Sequence, residues 1–183
     1  MLNTASSVLM LSSSLYIIPC VYAYNNKDYI FSALLLLVSL ISINYWRNPE
    51  KGFRRNLDLV FSKLMICVGS YHAAKYITTL NQKLLTYPGF ILTIYTYNKS
   101  SSLHAKKHSN WYKYHSLMHI VTTYESCIII YNIKRSNYTS NSNTYITTNI
   151  SIEFLLIGLI IFINDKNKEQ YIKNPLLVFN LLR

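Results

Sequence analysis

The chain has 183 residues, of which 51% are hydrophobic and 14% are charged, and its formal net charge is +11. Soluble domains carry roughly 25% charged residues, so this composition is unusually apolar. The apolar content excludes intrinsic disorder, and four glycines and three cysteines exclude a collagen-like repeat and a disulfide scaffold. A helical membrane protein or a very apolar soluble protein remains.

Apolar segments recur along the chain at about the 20-residue length that a helix needs to cross a hydrocarbon core. We predict six transmembrane helices, at residues 5–24, 29–46, 57–80, 84–98, 111–133 and 145–164. A soluble bundle of apolar helices would give similar segments, but the first two carry no charge and leave no solvated face. We therefore expect an all-α polytopic membrane bundle over 1–164, followed by a cytoplasmic or interfacial tail at 165–183.

Basic residues are divided unevenly between the predicted connections. If side A is the side on which segment 29–46 ends, six spans place 12 of the 18 lysines and arginines on side A and four on side B. Basic loops favour the cytoplasmic side, so both termini are predicted to be cytoplasmic or matrix-facing. The expected partners are the lipid bilayer, its anionic headgroups and other membrane-complex subunits. Nucleic acid is not expected, because the charge is spread over separate short loops.

Histidines are concentrated in one part of the chain, where four of the five fall within residues 104–119. His115 and His119 are spaced i, i+4, which places both imidazoles on one helix face. This spacing suits Zn²⁺, which binds neutral imidazole nitrogens and keeps an open position for water in catalytic sites. The simpler interpretation is that both histidines lie at a membrane interface, where polar side chains anchor a helix end.

Ser42 and Asp58 are predicted to lie at the same depth as the histidine pair. Segment 29–46 ends on side A, and segments 57–80 and 111–133 begin there, so the three sets of side chains share one layer. A hydroxyl, an acid and imidazole ligands are what a hydrolytic metal site requires. The alternative for Asp58 is an N-terminal cap of its helix, which the helix dipole favours.

The arrangement of Ser42, Asp58 and His115-x-x-x-His119 resembles that of the CREST superfamily, which includes alkaline ceramidases and progestin/adiponectin receptors. The resemblance covers three short patches. It implies a membrane hydrolase with zinc held by three histidines, acting on lipid amides or esters. His115 and His119 would be zinc ligands, a water oriented by Asp58 would attack the lipid carbonyl, and Ser42 would stabilise the oxyanion.

This chain departs from the family pattern at the third ligand. The family has a histidine four residues after the serine, whereas Trp46 occupies that position here. A third ligand would then be His104, His108 or a carboxylate. The count of six spans also differs from the seven of the family.

Two other classes of function are open on the sequence. In the first, the chain is a non-catalytic subunit or scaffold of a larger membrane complex, and its polar residues only hold helices together. In the second, it is a small transporter in which His72 or Lys75 pairs with Glu125 inside the bilayer, where each needs a partner.

Overall fold

The computed structural model describes residues 4–50 and 52–140, with side chains up to residue 136. Every secondary-structure element assigned in this part of the chain is an α-helix, which confirms the all-α prediction for these residues. They are α1 (Thr4–Ser14), α2 (Ile17–Asn25), α3 (Tyr29–Arg47), α4 (Phe53–Tyr76), α5 (Leu80–Ala105) and α6 (Trp111–Ser140). The predicted span at 145–164 and the tail at 165–183 lie outside the described residues.

Serine side chains interrupt the first helical run. Ser12 and Ser13 donate their hydroxyls to the Leu9 carbonyl at 3.1 and 2.8 Å. Hydroxyls that bond back to the preceding turn bend a helix, and here α1 ends one residue later, at Ser14. The N–H of Leu15 then bonds three residues back rather than four. α1 and α2 therefore form one kinked run.

The helix ends are set by local capping groups rather than by the limits of the apolar segments. α4 begins after Gly52, whose φ of 145° few other residues adopt, and it starts four residues before the predicted segment. α5 begins after Thr79, which forms a capping box with Gln82, and continues through Pro88 well beyond the predicted span. Hydropathy identified the apolar part of each helix but missed these ends.

The helical runs are joined by short links, which makes successive runs antiparallel. The most extensive contacts join α5 to α6, and α6 also packs against α1, α2 and α4. We call the end of the bundle where α3 ends and α6 begins end A, and the opposite end, where α4 ends and α5 begins, end B. α6 is thus the central helix.

Buried polar side chains occur along the whole bundle, and the main apolar cluster lies towards end B. Near end B, the core is built from Phe31, Leu35, Ile77, Ile130 and neighbouring aliphatic side chains. Near end A, the buried side chains are mostly hydroxyl, carboxyl and imidazole groups; they include Ser12, Ser13, Ser42, Asp58, Ser100, Ser116 and His119. The buried polar side chains near end A include Ser42, Asp58 and His119, which the sequence analysis selected as candidate site residues.

Two helical runs are long and apolar enough to cross a membrane. They are Thr4–Asn25, with 22 residues and a mean hydropathy of 1.5, and Tyr29–Arg47, with 19 residues and a mean hydropathy of 1.8. In the described part of the chain, α4, α5 and α6 are long enough but fall short in hydropathy or carry too many charges. The structure thus supports two candidate spans, where the sequence predicted six.

Candidate functional site

The serine and the aspartate predicted for the site are hydrogen-bonded to each other. Ser42 Oγ donates to Asp58 Oδ1 at 2.5 Å, and both side chains are buried, 3% and 9% exposed. Asp58 lies in the second turn of α4, five residues after Phe53, and the N-cap position belongs to Gly52. The alternative that Asp58 caps its own helix is therefore wrong, and its carboxyl joins α4 to α3.

Trp46 connects this pair to the histidines. It lies one turn after Ser42 on α3, and its ring packs against His115 with centroids 5.2 Å apart. The same indole contacts Trp111, at 5.8 Å, in the first turn of α6. The end of α3 and the beginning of α6 therefore meet at end A, so Ser42, Asp58 and the histidine pair belong to one layer.

Serines from two other helices fix the histidine rings. His115 and His119 pack edge to face with centroids 4.9 Å apart. His119 Nδ1 lies 3.0 Å from Ser12 Oγ and 3.3 Å from Ser13 Oγ, and His115 Nδ1 lies 3.4 Å from Ser100 Oγ. Each Nδ1 is held in this way, and Nε2 is the nitrogen with which each ring would bind a metal or a substrate.

These serines were missed at the level of sequence. Ser12 and Ser13 lie in a charge-free segment, and Ser100 lies in a polar one. Ser12 and Ser13 are more than 100 residues from His119, and Ser100 is 15 residues from His115, so no helical spacing relates these serines to their histidines. The run of three serines at 12–14, inside an otherwise apolar span, was the available signal. Tyr16 belongs to the same group, since its ring packs on His119 and its hydroxyl lies 2.6 Å from Thr122 Oγ1.

The histidine geometry can be compared with that of a zinc centre. With Zn–N distances of about 2.0–2.1 Å and tetrahedral angles, two imidazole ligands place their ring centroids roughly 5 Å apart. The centroids of His115 and His119 lie 4.9 Å apart and those of His115 and Trp46 lie 5.2 Å apart, which is also the ordinary separation of packed aromatic rings. Trp46 packs on His115, and an indole cannot ligate zinc.

Neither of the other candidate ligands completes the set. The His104 ring packs on the Trp111 indole with centroids 4.7 Å apart. His108 Nδ1 accepts a hydrogen bond from the Asn110 N–H at 3.2 Å. Among residues 4–50 and 52–140, no group of three or more His, Cys, Asp or Glu side chains is arranged to hold a metal ion. The described residues therefore do not form a complete set of zinc ligands.

The residues of the transporter alternative have other contacts. Glu125 accepts a hydrogen bond from the Phe90 backbone N–H and packs its carboxyl directly on Gly89. His72 is stacked between the rings of Phe31, at 5.0 Å, and Tyr76, at 5.9 Å. His72 thus contacts α3, Glu125 contacts α5, and Lys75 Nζ lies over the Tyr76 ring, so the expected pairing of His72 or Lys75 with Glu125 is not seen among the described residues.

No protein-family model, curated protein or solved structure matches the chain. The proposals below are argued from the geometry of the described residues.

Ser42→Ala is expected to lower the free energy of unfolding by about 1–3 kcal/mol, because it leaves the buried Asp58 carboxyl without its donor. Asn44→Ala on the same helix is the matched control, since Asn44 is exposed and its amide reaches only Arg47 at 3.5 Å. Thermal unfolding of both variants in one detergent compares them. Equal stability of the two variants contradicts the structural importance of the hydrogen bond.

Proposed function

We propose that the chain is a polytopic membrane protein whose helices present apolar side chains outwards and polar side chains inwards. Large apolar residues are exposed on every helical run, among them Leu11, Ile30, Leu40, Val60, Leu64, Leu85, Ile91 and Ile120. In the described part of the chain, buried polar residues are as numerous as buried apolar ones. Membrane bundles pack in this way. Lipid solvates the apolar outer face of each helix, while hydroxyl groups and small residues form the contacts between helices.

This distribution supports more than two spans. α4, α5 and α6 have 24, 26 and 30 residues, and each is longer than the 20 or so residues that cross a hydrocarbon core. Their mean hydropathy is lowered by inward residues such as Asp58, Thr93 and Glu125, which are shielded from lipid. We also propose that side A is the cytoplasmic side and that residues 145–164 form a further transmembrane segment.

Within that bundle, we propose that Ser42, Asp58, His115 and His119 form a site for hydrolysis of a lipid amide or ester, in the manner of the CREST superfamily. One observation carries this proposal: the Ser42–Asp58 hydrogen bond lies one turn from the contact of Trp46 with His115. That contact gathers a hydroxyl, a carboxyl and two imidazoles at one depth. A purely interfacial placement would leave these side chains facing headgroups or water, whereas Ser42, Asp58 and His119 are buried.

The residues divide into roles by their chemistry. Zinc, when bound at the two histidines together with a further ligand, would polarise the lipid carbonyl and lower the pKa of water. Asp58 orients the attacking water and accepts its proton at the carboxylate oxygen that Ser42 does not occupy. The Ser42 hydroxyl can turn from Asp58 to the developing oxyanion. Ser12, Ser13 and Ser100 position the imidazoles.

The test is hydrolysis of a panel of lipid amides and esters by the purified chain. Asp58→Asn and His119→Ala are each expected to lower the rate by about 10²-fold or more, which is the size of a general-base contribution. His108→Ala is the matched control, because His108 lies in the exposed link between α5 and α6. Absence of hydrolysis across the panel, or equal rates in all three variants, contradicts the hydrolase proposal.

A non-catalytic membrane scaffold is the second candidate, and the position of Trp46 favours it. Its indole is only 7% exposed and packs on His115, at the sequence position where the CREST pattern has a zinc-binding histidine. In a scaffold, the polar layer only joins helices. Substitution of Asp58 or His119 would then lower stability and assembly with partners, with no hydrolytic activity to lose.

A further inference from the structure

A second candidate site lies in the link between α5 and α6, at end A. It is a pocket of about 520 Å³ lined by His104, Ala105, Lys107, His108, Ser109 and Trp111. Pockets for small ligands measure about 300–1,000 Å³, so this volume can hold a lipid headgroup. All the lining residues except the half-buried Trp111 are exposed, and the pocket therefore opens to the surroundings of the bundle.

The end of α5 gives the pocket a fixed backbone. The N–H of His108 bonds to the Leu103 carbonyl at 2.9 Å and the N–H of Lys107 bonds to the His104 carbonyl at 3.0 Å, which is the pattern of a Schellman motif. Lys107 takes the left-handed position of this motif, with a φ of 53°, where glycine is the usual residue. The chain thus has a strained lysine at this turn, and its side chain lines the pocket.

The Lys107 ammonium is available to a ligand, since it forms no hydrogen bond or ion pair with another described residue. The described residues that line the pocket include no aspartate or glutamate, and none occurs in the sequence between Asp58 and Glu125. Three further lysines fall within residues 99–113. The potential at the link is therefore positive and favours an anion.

The histidines of the pocket do not favour a metal ion. His108 Nδ1 accepts the Asn110 N–H at 3.2 Å, so the ring carries its proton on Nε2 and does not offer that nitrogen to a metal. The His104 ring packs edge to face on Trp111 with centroids 4.7 Å apart. An ammonium group and a hydroxyl, that of Ser109, are donors that suit the oxygens of a phosphate.

We propose that the α5–α6 link pocket binds the phosphate group of an anionic lipid headgroup, with Lys107 as its counter-charge. A lysine binds a phosphate as a point charge, and a tryptophan such as Trp111 is typical of the headgroup level of a membrane. The lipid as the source of the phosphate rests on the membrane placement proposed above. The phosphate contact itself depends neither on that placement nor on hydrolysis.

The experiment titrates the full chain, purified in a neutral detergent, with three probes and measures binding by calorimetry. The probes are dihexylglycerol phosphate, inorganic phosphate, and dihexylglycerol, which has the same chains and no phosphate. The ether-linked probes cannot be consumed by hydrolysis of an amide or ester. We expect saturable binding of dihexylglycerol phosphate, weakened about tenfold or more by Lys107→Gln. Lys106→Gln is the matched control, because Lys106 neighbours Lys107, is exposed and does not line the pocket.

Two further variants separate binding from folding. Lys107→Gly removes the ammonium and fits a φ of 53° without strain, so it should unfold at the same or a higher temperature while it loses affinity about tenfold or more. Lys107→Arg keeps the charge and should retain binding. Loss of affinity in Lys107→Arg as large as in Lys107→Gly would contradict a role for the charge.

The arms distinguish the sources of the phosphate. Binding of dihexylglycerol phosphate with little binding of inorganic phosphate supports a lipid headgroup, and equal binding of both overturns the lipid assignment. The proposal is also overturned if neither phosphate probe binds, if dihexylglycerol binds as well as its phosphate, or if Lys106→Gln loses as much affinity as Lys107→Gln. A chain that leaves carbonate-washed membranes and still binds inorganic phosphate would overturn the membrane placement and not the phosphate contact.

Discussion

Trp46→His is expected to turn the chain into a stoichiometric zinc binder. The Trp46 indole packs on His115 with centroids 5.2 Å apart, and His115 packs on His119 at 4.9 Å, so a side chain at position 46 lies beside the histidine pair. A histidine at position 46 would add the third nitrogen. We expect about one Zn²⁺ per chain after dialysis against a weak chelator, with affinity at least about tenfold above that of the wild type.

Two further variants control this experiment. Trp46→Phe opens space without adding a ligand and should gain no zinc, and His119→Ala in the Trp46→His background should lose what was gained. Wild-type chain that already holds zinc as tightly would show that another group completes the ligand set. A Trp46→His chain that folds and gains no affinity contradicts the ring geometry on which the metal proposal depends.

Gly89→Ala is expected to destabilise the chain by about 1–3 kcal/mol, the cost of overpacking a filled interior. A Cβ on Gly89 would run into the Glu125 carboxyl, which is buried between α5 and α6. Gly69→Ala in α4 is a matched control, since a Cβ there meets nothing within 4 Å. Alanine has the higher helix propensity, so the control should be neutral or slightly stabilised.

The double variant Gly89→Ala/Glu125→Ala identifies the cause of the destabilisation. Removal of the carboxyl leaves room for the new methyl group, so the two substitutions should be strongly non-additive. Unfolding midpoints of the two single variants and the double variant, measured in one detergent, give the coupling energy. Additive losses contradict a direct contact between position 89 and Glu125.

Part of the fold could be predicted from the sequence because a long charge-free run leaves few alternatives. The segment predicted at 29–46 is α3, Tyr29–Arg47, within one residue. The later helix ends were missed because they depend on single groups: the Thr79–Gln82 capping box begins α5 four residues before the apolar segment. A run of apolar residues indicates only which part of a helix is buried or contacts lipid. A helix whose first turn is polar therefore begins before that run.

For the site, the sequence predicted only that the candidate residues lie at the same depth in the bundle. Alternation of antiparallel helices was sufficient to expect Ser42, Asp58 and the histidine pair at one end. Which atoms meet depends on helix rotation, which the kink of the first helical run and the packing of Trp46 determine. Ser12 and Ser13 reach His119 from the last turn of α1, and no spacing in the sequence records the rotation of α1 about its own axis.

Proximity between α3 and α6 at end A tests the central claim most directly. In a chain whose three cysteines are replaced, Trp46→Cys and His115→Cys are combined and treated in carbonate-washed membranes with a short bifunctional thiol reagent. We expect rapid intramolecular cross-linking of this pair. Little cross-linking is expected for Trp46→Cys with Leu117→Cys, since Leu117 is exposed on another face of α6. No cross-link in the first pair, equal cross-linking in both, or a chain released by the carbonate wash would contradict a polar layer shared by these helices within a membrane.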